Sequence, residues 1–198
     1  MLYIIRHGET AKNRKNVLQG RSDQPLNELG MDQAEKAGAL FSLNGIRFDA
    51  VYSSPLIRAV QTAEQILKRS EDGGRLPDII KDNRLIEMDY GPYEGMDLTD
   101  PAPEVMAFFM DFAGTPAPDG MEQLSTVVSR LGDFLEEIRE EARTGDVLLS
   151  THAIAMKGAL EYLTPGSNGS YWSKYIGNCD IYVSDVTDQG YGVPHKLR

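Results

Sequence analysis

Short segments with apolar centres alternate along the chain with longer amphipathic segments. Residues 2–5, 49–53, 78–81, 147–150 and 181–186 have the length and composition of buried strands. Between them, apolar residues recur every three or four positions, which predicts helices. The alternation of strand and helix predicts an α/β fold: a three-layer sandwich whose central, mostly parallel sheet carries helices on both faces.

Local signals predict where several helices begin and end. Asn27 is expected to cap a helix that runs to about Leu43, and Ser54-Pro55 is expected to start the next one. Gly73-Gly74 should close that second unit. The apolar positions from Leu124 onward predict a long helix that ends at Gly145, and residues 151–164 predict a further helix.

The regular pattern is interrupted between Ile86 and about Met121. Nine glycines and prolines fall within this segment, and one short helix fits at residues 104–112. The segment also carries aromatic side chains that need burial, which favours an inserted lid at about 88–121 over a linker. We therefore expect a single domain, residues 1–198, with this lid inserted.

Composition and charge narrow the classes of partner. The chain has 198 residues, 41% of them hydrophobic, and a net charge of -10, which disfavours binding to nucleic acid or anionic lipid. Its single cysteine, Cys179, forms no internal disulfide, and no apolar run approaches the roughly 18 residues that span a bilayer. Cleavage of a signal peptide would remove Arg6 and His7. We expect a cytoplasmic protein, and the sequence indicates no oligomeric state.

The residues after the first predicted strand carry the strongest chemical signal. Arg6, His7 and Gly8 follow the apolar run 2–5, and ligands in open α/β sheets bind beyond the carboxyl ends of strands. An imidazole there can act as nucleophile or base, while a guanidinium can hold an oxyanion through paired hydrogen bonds. A glycine allows a ligand to come close. Together these residues predict phosphate chemistry on histidine.

Three further side chains occupy equivalent places along the chain. Arg58 comes just after the second predicted strand, Glu87 after the third and His152 after the fourth. If the strands are parallel, their carboxyl ends meet at one edge of the sheet, and these side chains converge there with His7.

Five groups of residues occur in a fixed order along the chain. They are Arg6-His7-Gly8-Glu9-Thr10 with Asn13; Gln19-Gly20 with Asp23, Pro25-Leu26, Gly30 and Gln33-Ala34; Ser53-Ser54-Pro55-Leu56 with Arg58-Ala59 and Gln61-Thr62-Ala63; Leu85, Glu87, Gly91 and Glu94-Gly95; and Asp119-Gly120 with Glu122. This ordered set resembles the histidine phosphatase superfamily, also called the phosphoglycerate mutase-like family, over nearly the whole chain.

The resemblance implies a covalent mechanism. His7 would attack phosphorus and form a phosphohistidine, which divides one difficult step into two easier ones. Glu87 would protonate the leaving oxygen and later activate water. The scheme requires no metal and no cofactor, because guanidinium groups neutralise the phosphoryl charge.

The same resemblance implies which residues bind the substrate. The groups expected to hold the phosphoryl oxygens are Arg6, Arg58, Asn13 and His152. Further substrate contacts are expected from Thr10, Gln19, Gly20 and Ala153. Ala153 stands where the family has glycine, and its backbone amide is still expected to donate.

The charge of the lid favours one reaction over another. Residues 85–129 contain nine Asp and Glu but no Lys or Arg, whereas a mutase needs cations facing a second phosphate. This favours a phosphatase acting on a small, monophosphorylated, partly apolar or neutral substrate. Met106, Phe108 and Phe109 would either contact that substrate or only pack the lid.

The sequence leaves two other functions open. The basic residues before the lid, which include Lys12, Arg14, Lys15 and Arg21, leave a second anion site and therefore mutase activity open. A non-catalytic, phosphate-binding regulatory module is a further alternative.

Overall fold

A central sheet forms the middle of the molecule, and the computed structural model describes residues 1–69 and 76–197. The strands are β1 (Leu2–Arg6), β2 (Ala50–Ser53), β3 (Ile79–Lys81), β4 (Val147–Thr151), β5 (Ile181–Ser184), β6 (Val186–Thr187), β7 (Gly190–Tyr191) and β8 (His195–Lys196). Six of them pair in the order β3-β2-β4-β1-β5-β8. The first four of that order are mutually parallel, whereas β5 and β8 add antiparallel pairs at one side. The predicted mostly parallel sheet is confirmed.

Helices cover both faces of this sheet. They are α1 (Ala11–Arg14), α2 (Glu28–Leu43), α3 (Ile57–Lys68), α4 (Pro103–Met110), α5 (Leu124–Thr144) and α6 (Ala153–Leu163). In the described part of the chain, no helix is long and apolar enough to cross a membrane.

Alternation along β1 divides the core into two layers. Tyr3 and Ile5 pack in a cluster with residues of α2 and α3, whereas Leu2 and Ile4 pack in a second cluster with residues of α5 and α6. Successive side chains of a strand point to opposite faces, so a strand that is apolar throughout is buried on both. The three-layer sandwich is therefore confirmed.

The segment predicted as a lid packs on the α5 and α6 side, and Arg130 contacts the chain both before and after it. Within it, Val105 and Phe108 are fully buried in the core cluster of that face. Arg130 of α5 donates to the carbonyl oxygens of Arg84 (2.6 Å) and Ile86 (2.7 Å) before the lid, and its Nε contacts Glu122 Oε1 (2.8 Å) after it. One partly buried arginine thus bridges the chain segments on either side of residues 88–121.

Several predicted boundaries are confirmed and three are shifted. Asn27 caps α2, its Oδ1 accepting from Gly30 N at 2.8 Å, and Gly145 ends α5. The lid helix is one to two residues earlier than expected, at Pro103–Met110. The strand predicted at 181–186 ends at Ser184, because Val186 instead pairs with β7 in a separate two-stranded ribbon.

The start of α3 is the third shift. The sequence predicts Ser54-Pro55 as the helix start, but α3 begins at Ile57 after an extended Leu56 with no side-chain cap. The Ser54 hydroxyl lies 2.7 Å from His152 Nε2 and also accepts from Leu56 N at 3.3 Å, so it serves both the neighbouring strand end and the turn before α3. The predicted closing pair Gly73-Gly74 lies outside the described residues.

Candidate active site

Side chains from three strand ends meet at the carboxyl edge of the sheet. His7 follows β1, and His152 follows β4 at the N-cap position of α6. Arg58, in the first turn of α3, places its Nε 3.3 Å from His7 Nε2 and 3.2 Å from His152 Nδ1. The two imidazole rings lie edge to face with centroids 5.1 Å apart. The structure brings these three side chains together, as the parallel strands require.

His7 is oriented so that one ring nitrogen faces the site. Its Nδ1 lies 2.7 Å from the carbonyl oxygen of Gly8, which can only accept, so Nδ1 carries the proton. The lone pair on Nε2 therefore points toward Arg58. Burial, and then the positive charges of Arg58 and Arg6, hold the pKa of His7 well below its usual range. The neutral imidazole is the form that attacks phosphorus.

Arg58 is held in place by a tight loop. Its Nη1 and Nη2 donate to the carbonyl oxygens of Ser22 and Gly20, both at 2.7 Å. The carboxylate of Glu94 in turn accepts from the backbone of Arg21 (2.7 Å) and Ser22 (3.1 Å). Gly20 has a φ of 53°, and a Cβ there would collide with Glu94. Glycine at position 20 therefore allows the loop conformation whose carbonyl oxygens hold Arg58.

His152 has its own fixed protonation pattern. Its Nδ1 accepts from Arg58, so its Nε2 carries the proton donated to the Ser54 hydroxyl. Burial and the charge of Arg58 lower the pKa of His152 well below its usual range. Both imidazoles are therefore neutral and buried, and the positive charge at this edge comes from arginine.

Arg6 presents an unused donor at the same edge. One guanidinium nitrogen donates to the carbonyl oxygen of Ile176 at 2.6 Å. Its Nε is buried and has no hydrogen-bond partner among the residues that the structure describes. A buried donor without a partner is costly unless a ligand completes it, which is what a phosphoryl oxygen would do.

Glu87 lies at the N-terminus of α6. Its Oε1 accepts from the backbone of Met88 (2.9 Å) and Ala155 (3.0 Å), and Oε2 accepts from Ile154 (3.3 Å). The residue is 6% exposed and lines the same cavity as His7. The backbone amides at the helix N-terminus orient the carboxyl group. The third strand end thus supplies a carboxyl group to the site.

Arg6, His7, Arg58 and Glu87 border a cavity of about 350 Å³, a size suited to a small metabolite, whereas His152 is absent from the described lining. Its polar part, called the phosphate end here, is formed by Arg6, His7 and Arg58. Away from it the walls are mainly apolar and aromatic. That part is lined by Val17, Leu18, Tyr90, Leu98, Phe109, Phe112, Ile154 and Tyr175.

Of the further substrate-binding residues predicted from the sequence, four belong to the described cavity lining and one does not. Asn13, Gln19, Gly20 and Ala153 line the cavity, and Ala153 is the first residue of α6, where a backbone amide has no partner within the helix. Thr10 does not line it. Its hydroxyl lies 2.8 Å from Gln19 Oε1 and caps α1, so Thr10 positions its neighbours.

Glycine is required at position 8 for a different physical reason from the one predicted. A Cβ at Gly8 would collide with the backbone carbonyl of Gly30 in the first turn of α2, and Gly8 is absent from the described cavity lining. The close approach that this glycine allows is between two backbone segments, not between backbone and ligand.

The three lid side chains divide between the two expected roles, and the basic residues lie outside the described cavity lining. Phe109 lines the cavity, but Phe108 is fully buried and Met106 is 43% exposed. Arg14 pairs with Glu9, Arg21 pairs with Asp89 and Glu122, and Lys12 donates to Ser22. In the lining that the structure describes, none of the four basic residues proposed for a second anion appears.

Sequence reasoning missed several residues of the site. Ser54 orients His152, Asn178 donates to the His7 carbonyl oxygen at 2.9 Å, and Tyr90, Phe112 and Lys157 line the cavity. Lys157 was detectable, because it lies one helical turn after Ala153 and therefore on the same face of α6. The others belong to loops with no periodic signal. Across the described residues, no group of three or more His, Cys, Asp or Glu is arranged to hold a metal ion.

The neutral imidazoles predict a pH dependence of stability. Because the folded pKa values of His7 and His152 are lowered, the unfolded chain binds more protons below about pH 6.5, and stability is lost as pH falls through that value. We expect each imidazole to lower the free energy of unfolding by about 1 kcal/mol between pH 6.5 and 5.5. Urea unfolding at both pH values measures this. The His152→Asn variant should lose about half of the effect, and an unchanged pH dependence in that variant would contradict the assignment.

Comparison with known proteins places this geometry in a family. The family model described as histidine phosphatase superfamily (branch 1) matches residues 2–195. A fructose-2,6-bisphosphatase TIGAR of Xenopus tropicalis is 42% identical over 137 residues, which is 68% of this chain but 48% of that protein. The chain thus spans about half the length of this relative.

Two relatives match over most of both chains. A 2,3-bisphosphoglycerate-dependent phosphoglycerate mutase of Parvibaculum lavamentivorans is 29% identical, covering 99% of this chain and 94% of that protein. Phosphoserine phosphatase 1 of Hydrogenobacter thermophilus is also 29% identical, covering 95% and 87%. Relatives of similar distance therefore include both phosphatases and a mutase. With the match extending from β1 to β8, the chain belongs to the histidine phosphatase superfamily, branch 1.

Proposed function

We propose that this protein is a phosphomonoesterase that releases phosphate from a small phosphorylated metabolite through a phosphohistidine on His7. The observation that carries the proposal is the geometry of His7, whose Nε2 lone pair faces Arg58 at 3.3 Å while Nδ1 is held by the Gly8 carbonyl oxygen. A neutral, oriented imidazole beside guanidinium groups is suited to attack on phosphorus.

The first step transfers the phosphoryl group. The lone pair of His7 Nε2 forms a bond to phosphorus, and the bond between phosphorus and the ester oxygen breaks. Arg6 and Arg58 stabilise the charge on the transferring phosphoryl oxygens. Glu87, in its protonated form, gives its proton to the leaving oxygen. The product alcohol leaves and Glu87 becomes a carboxylate, whose oxygens accept from backbone amides of α6.

The second step returns the enzyme to its starting state. The Glu87 carboxylate takes a proton from water, whose oxygen attacks the phosphohistidine. The bond between Nε2 and phosphorus breaks, and inorganic phosphate is released. His7 regains its neutral form and Glu87 its proton, so protons and charges balance over the cycle.

A phosphoglycerate mutase is the second candidate, supported by the whole-length relative with that name. Against it stands the charge of the lid, which has no Lys or Arg from 85 to 129. The described lining holds a single cation beyond the phosphate end, Lys157, on α6. A second phosphate would lie with little charge compensation there.

The experiment that tests the proposal is a screen of phosphomonoesters that measures released phosphate and isomerised product separately. It should include 3-phosphoglycerate with and without its bisphosphate. We expect phosphate release to exceed isomerisation by at least about tenfold, because only one cation faces the leaving group. Faster isomerisation would establish the mutase. Tight phosphate binding without turnover of any ester would instead favour a regulatory module.

A further inference from the structure

Glu122 and Arg130 form a partly buried ion pair to which the phosphoryl-transfer scheme assigns no role. Glu122 belongs to the fifth group of ordered residues in the sequence, and Arg130 lies on α5. Arg130 Nε donates to Glu122 Oε1 at 2.8 Å, and its Nη2 donates to Oε2 at 3.2 Å. The two side chains are 14% and 8% exposed. Because each charge is compensated within the pair, its effect on the active site is expected to be one of geometry.

The remaining guanidinium nitrogen of Arg130 holds the backbone that precedes the proposed acid. Its Nη1 donates to the carbonyl oxygens of Arg84 at 2.6 Å and of Ile86 at 2.7 Å, and Ile86 directly precedes Glu87. The carbonyl oxygen between these two accepts from the Thr151 hydroxyl at 2.7 Å. Three successive carbonyl oxygens before the acid therefore each accept a hydrogen bond from a side chain.

Glu122 holds the backbone that follows the acid. Its Oε2 accepts from Asp89 N at 3.1 Å, and its own backbone N–H donates to the Asp89 carbonyl oxygen at 2.8 Å. The ion pair thus contacts the chain on both sides of Glu87, at Ile86 and at Asp89. Fixing the backbone at these two points also fixes where the Glu87 carboxyl group meets the N-terminus of α6, where it accepts from Ala155 N at 3.0 Å.

We propose that Arg130 is a positioning residue for the acid–base step: paired with Glu122, it fixes the backbone on both sides of Glu87 and so sets the carboxyl group where it can protonate the leaving oxygen. This inference rests on the proposed phosphatase function. An acid must lie within hydrogen-bond reach of the atom that it protonates, and a displacement of about 1 Å can cost about 100-fold in rate. Lysine carries the same charge but lacks the planar fork that reaches the carboxylate and both carbonyl oxygens at once.

The test compares two leaving groups in the Arg130→Lys variant. The quantity measured is kcat/KM, because it reports on formation of the phosphohistidine, the step in which the acid protonates the leaving oxygen. We expect kcat/KM for ethyl phosphate to fall by about tenfold or more, and that for para-nitrophenyl phosphate to stay within about threefold, because a nitrophenolate leaves without a proton. Equal losses for the two esters would indicate support of the fold alone and would overturn the proposal. Glu122→Gln, which keeps the size of the side chain but removes the charge that holds Arg130, gives the same comparison if Arg130→Lys does not fold.

A double-mutant cycle tests whether Arg130 acts through Glu87. With Glu87→Gln in place no acid remains to be positioned, so adding Arg130→Lys should lower kcat/KM for ethyl phosphate by less than about twofold further. Losses that multiply would place the effect of Arg130 elsewhere and would overturn the proposal. The matched control Arg139→Lys changes an exposed arginine of the same helix, paired with Glu136, and should alter kcat/KM for neither ester.

Amide hydrogen exchange keeps the inference testable if turnover fails. The Ala155 N–H lies in the first turn of α6, where it has no acceptor within the helix, and it donates to the Glu87 carboxyl group. We expect its exchange to quicken by about tenfold or more in Arg130→Lys, relative to the Met156 amide, which has a backbone acceptor one turn earlier. That result would support the positioning role even if wild-type protein releases no phosphate and the proposed function falls. An unchanged exchange ratio would overturn the positioning role, while phosphate release, measured separately, still decides the function.

Discussion

Replacing His7 with alanine is expected to lower kcat for phosphate release by on the order of 10⁴-fold or more. The reason is structural: His7 lines the cavity and directs the lone pair of Nε2 toward Arg58 at the phosphate end, whereas His152 is absent from the described lining and its Nε2 donates to Ser54. Without His7, the phosphoryl group has no oriented acceptor. Steady-state kinetics with a reactive aryl phosphate measures the loss.

The covalent intermediate gives a second, independent readout. Wild-type protein turning over a labelled ester should carry phosphate that is labile in acid and stable in base, as a phosphorus–nitrogen bond is, and His7→Ala should carry none. The His152→Asn variant is the matched control, because it removes the other imidazole of the pair while leaving the Nδ1 contact of His7 with Gly8. Label that persists in His7→Ala, or is found on His152, would refute the assignment of the nucleophile.

Glu87→Gln is expected to reduce turnover of alkyl phosphates by about 100-fold or more, because an alkoxide leaving group needs a proton. The loss should be smaller for an aryl phosphate, whose phenolate leaves without one. The ratio of the two losses is the informative quantity, since it cancels any general disturbance. Equal losses would argue against the acid role.

Glu87→Gln also changes a structural contact, which the measurement must allow for. The carboxylate accepts from Met88, Ile154 and Ala155, and an amide side chain has one acceptor oxygen instead of two. Thermal unfolding of the variant checks for this loss. The matched control is Asp89→Asn, which alters a neighbouring carboxylate that pairs with Arg21 at the surface. It should leave the ratio of alkyl to aryl turnover unchanged.

Most of the fold was predictable from patterns among residues that are close together in the sequence. The buried run of β1, the capped start of α2 and the periodic apolar face of α5 were predictable because each depends on neighbours within one turn or one strand. The start of α3 was not, because the Ser54 hydroxyl bonds His152, almost a hundred residues later in the chain. The Ser54 oxygen serves both the turn before α3 and this tertiary contact, and the sequence shows only the local signal.

For the site, the sequence by itself determined which groups stand at the strand ends: His7, Arg58, Glu87 and His152. Parallel pairing of β1, β4, β2 and β3 then brings the carboxyl ends of these strands to one edge, so their convergence is a consequence of topology. Only the tertiary structure decided the rest. It shows that Nδ1 of His7 carries the proton and that Gly8 packs against the backbone of Gly30. It also shows that Lys157 lines the cavity. The physical reason is that hydrogen-bond partners, burial and residual charge depend on segments distant in the chain, whereas periodicity and spacing report only on neighbours.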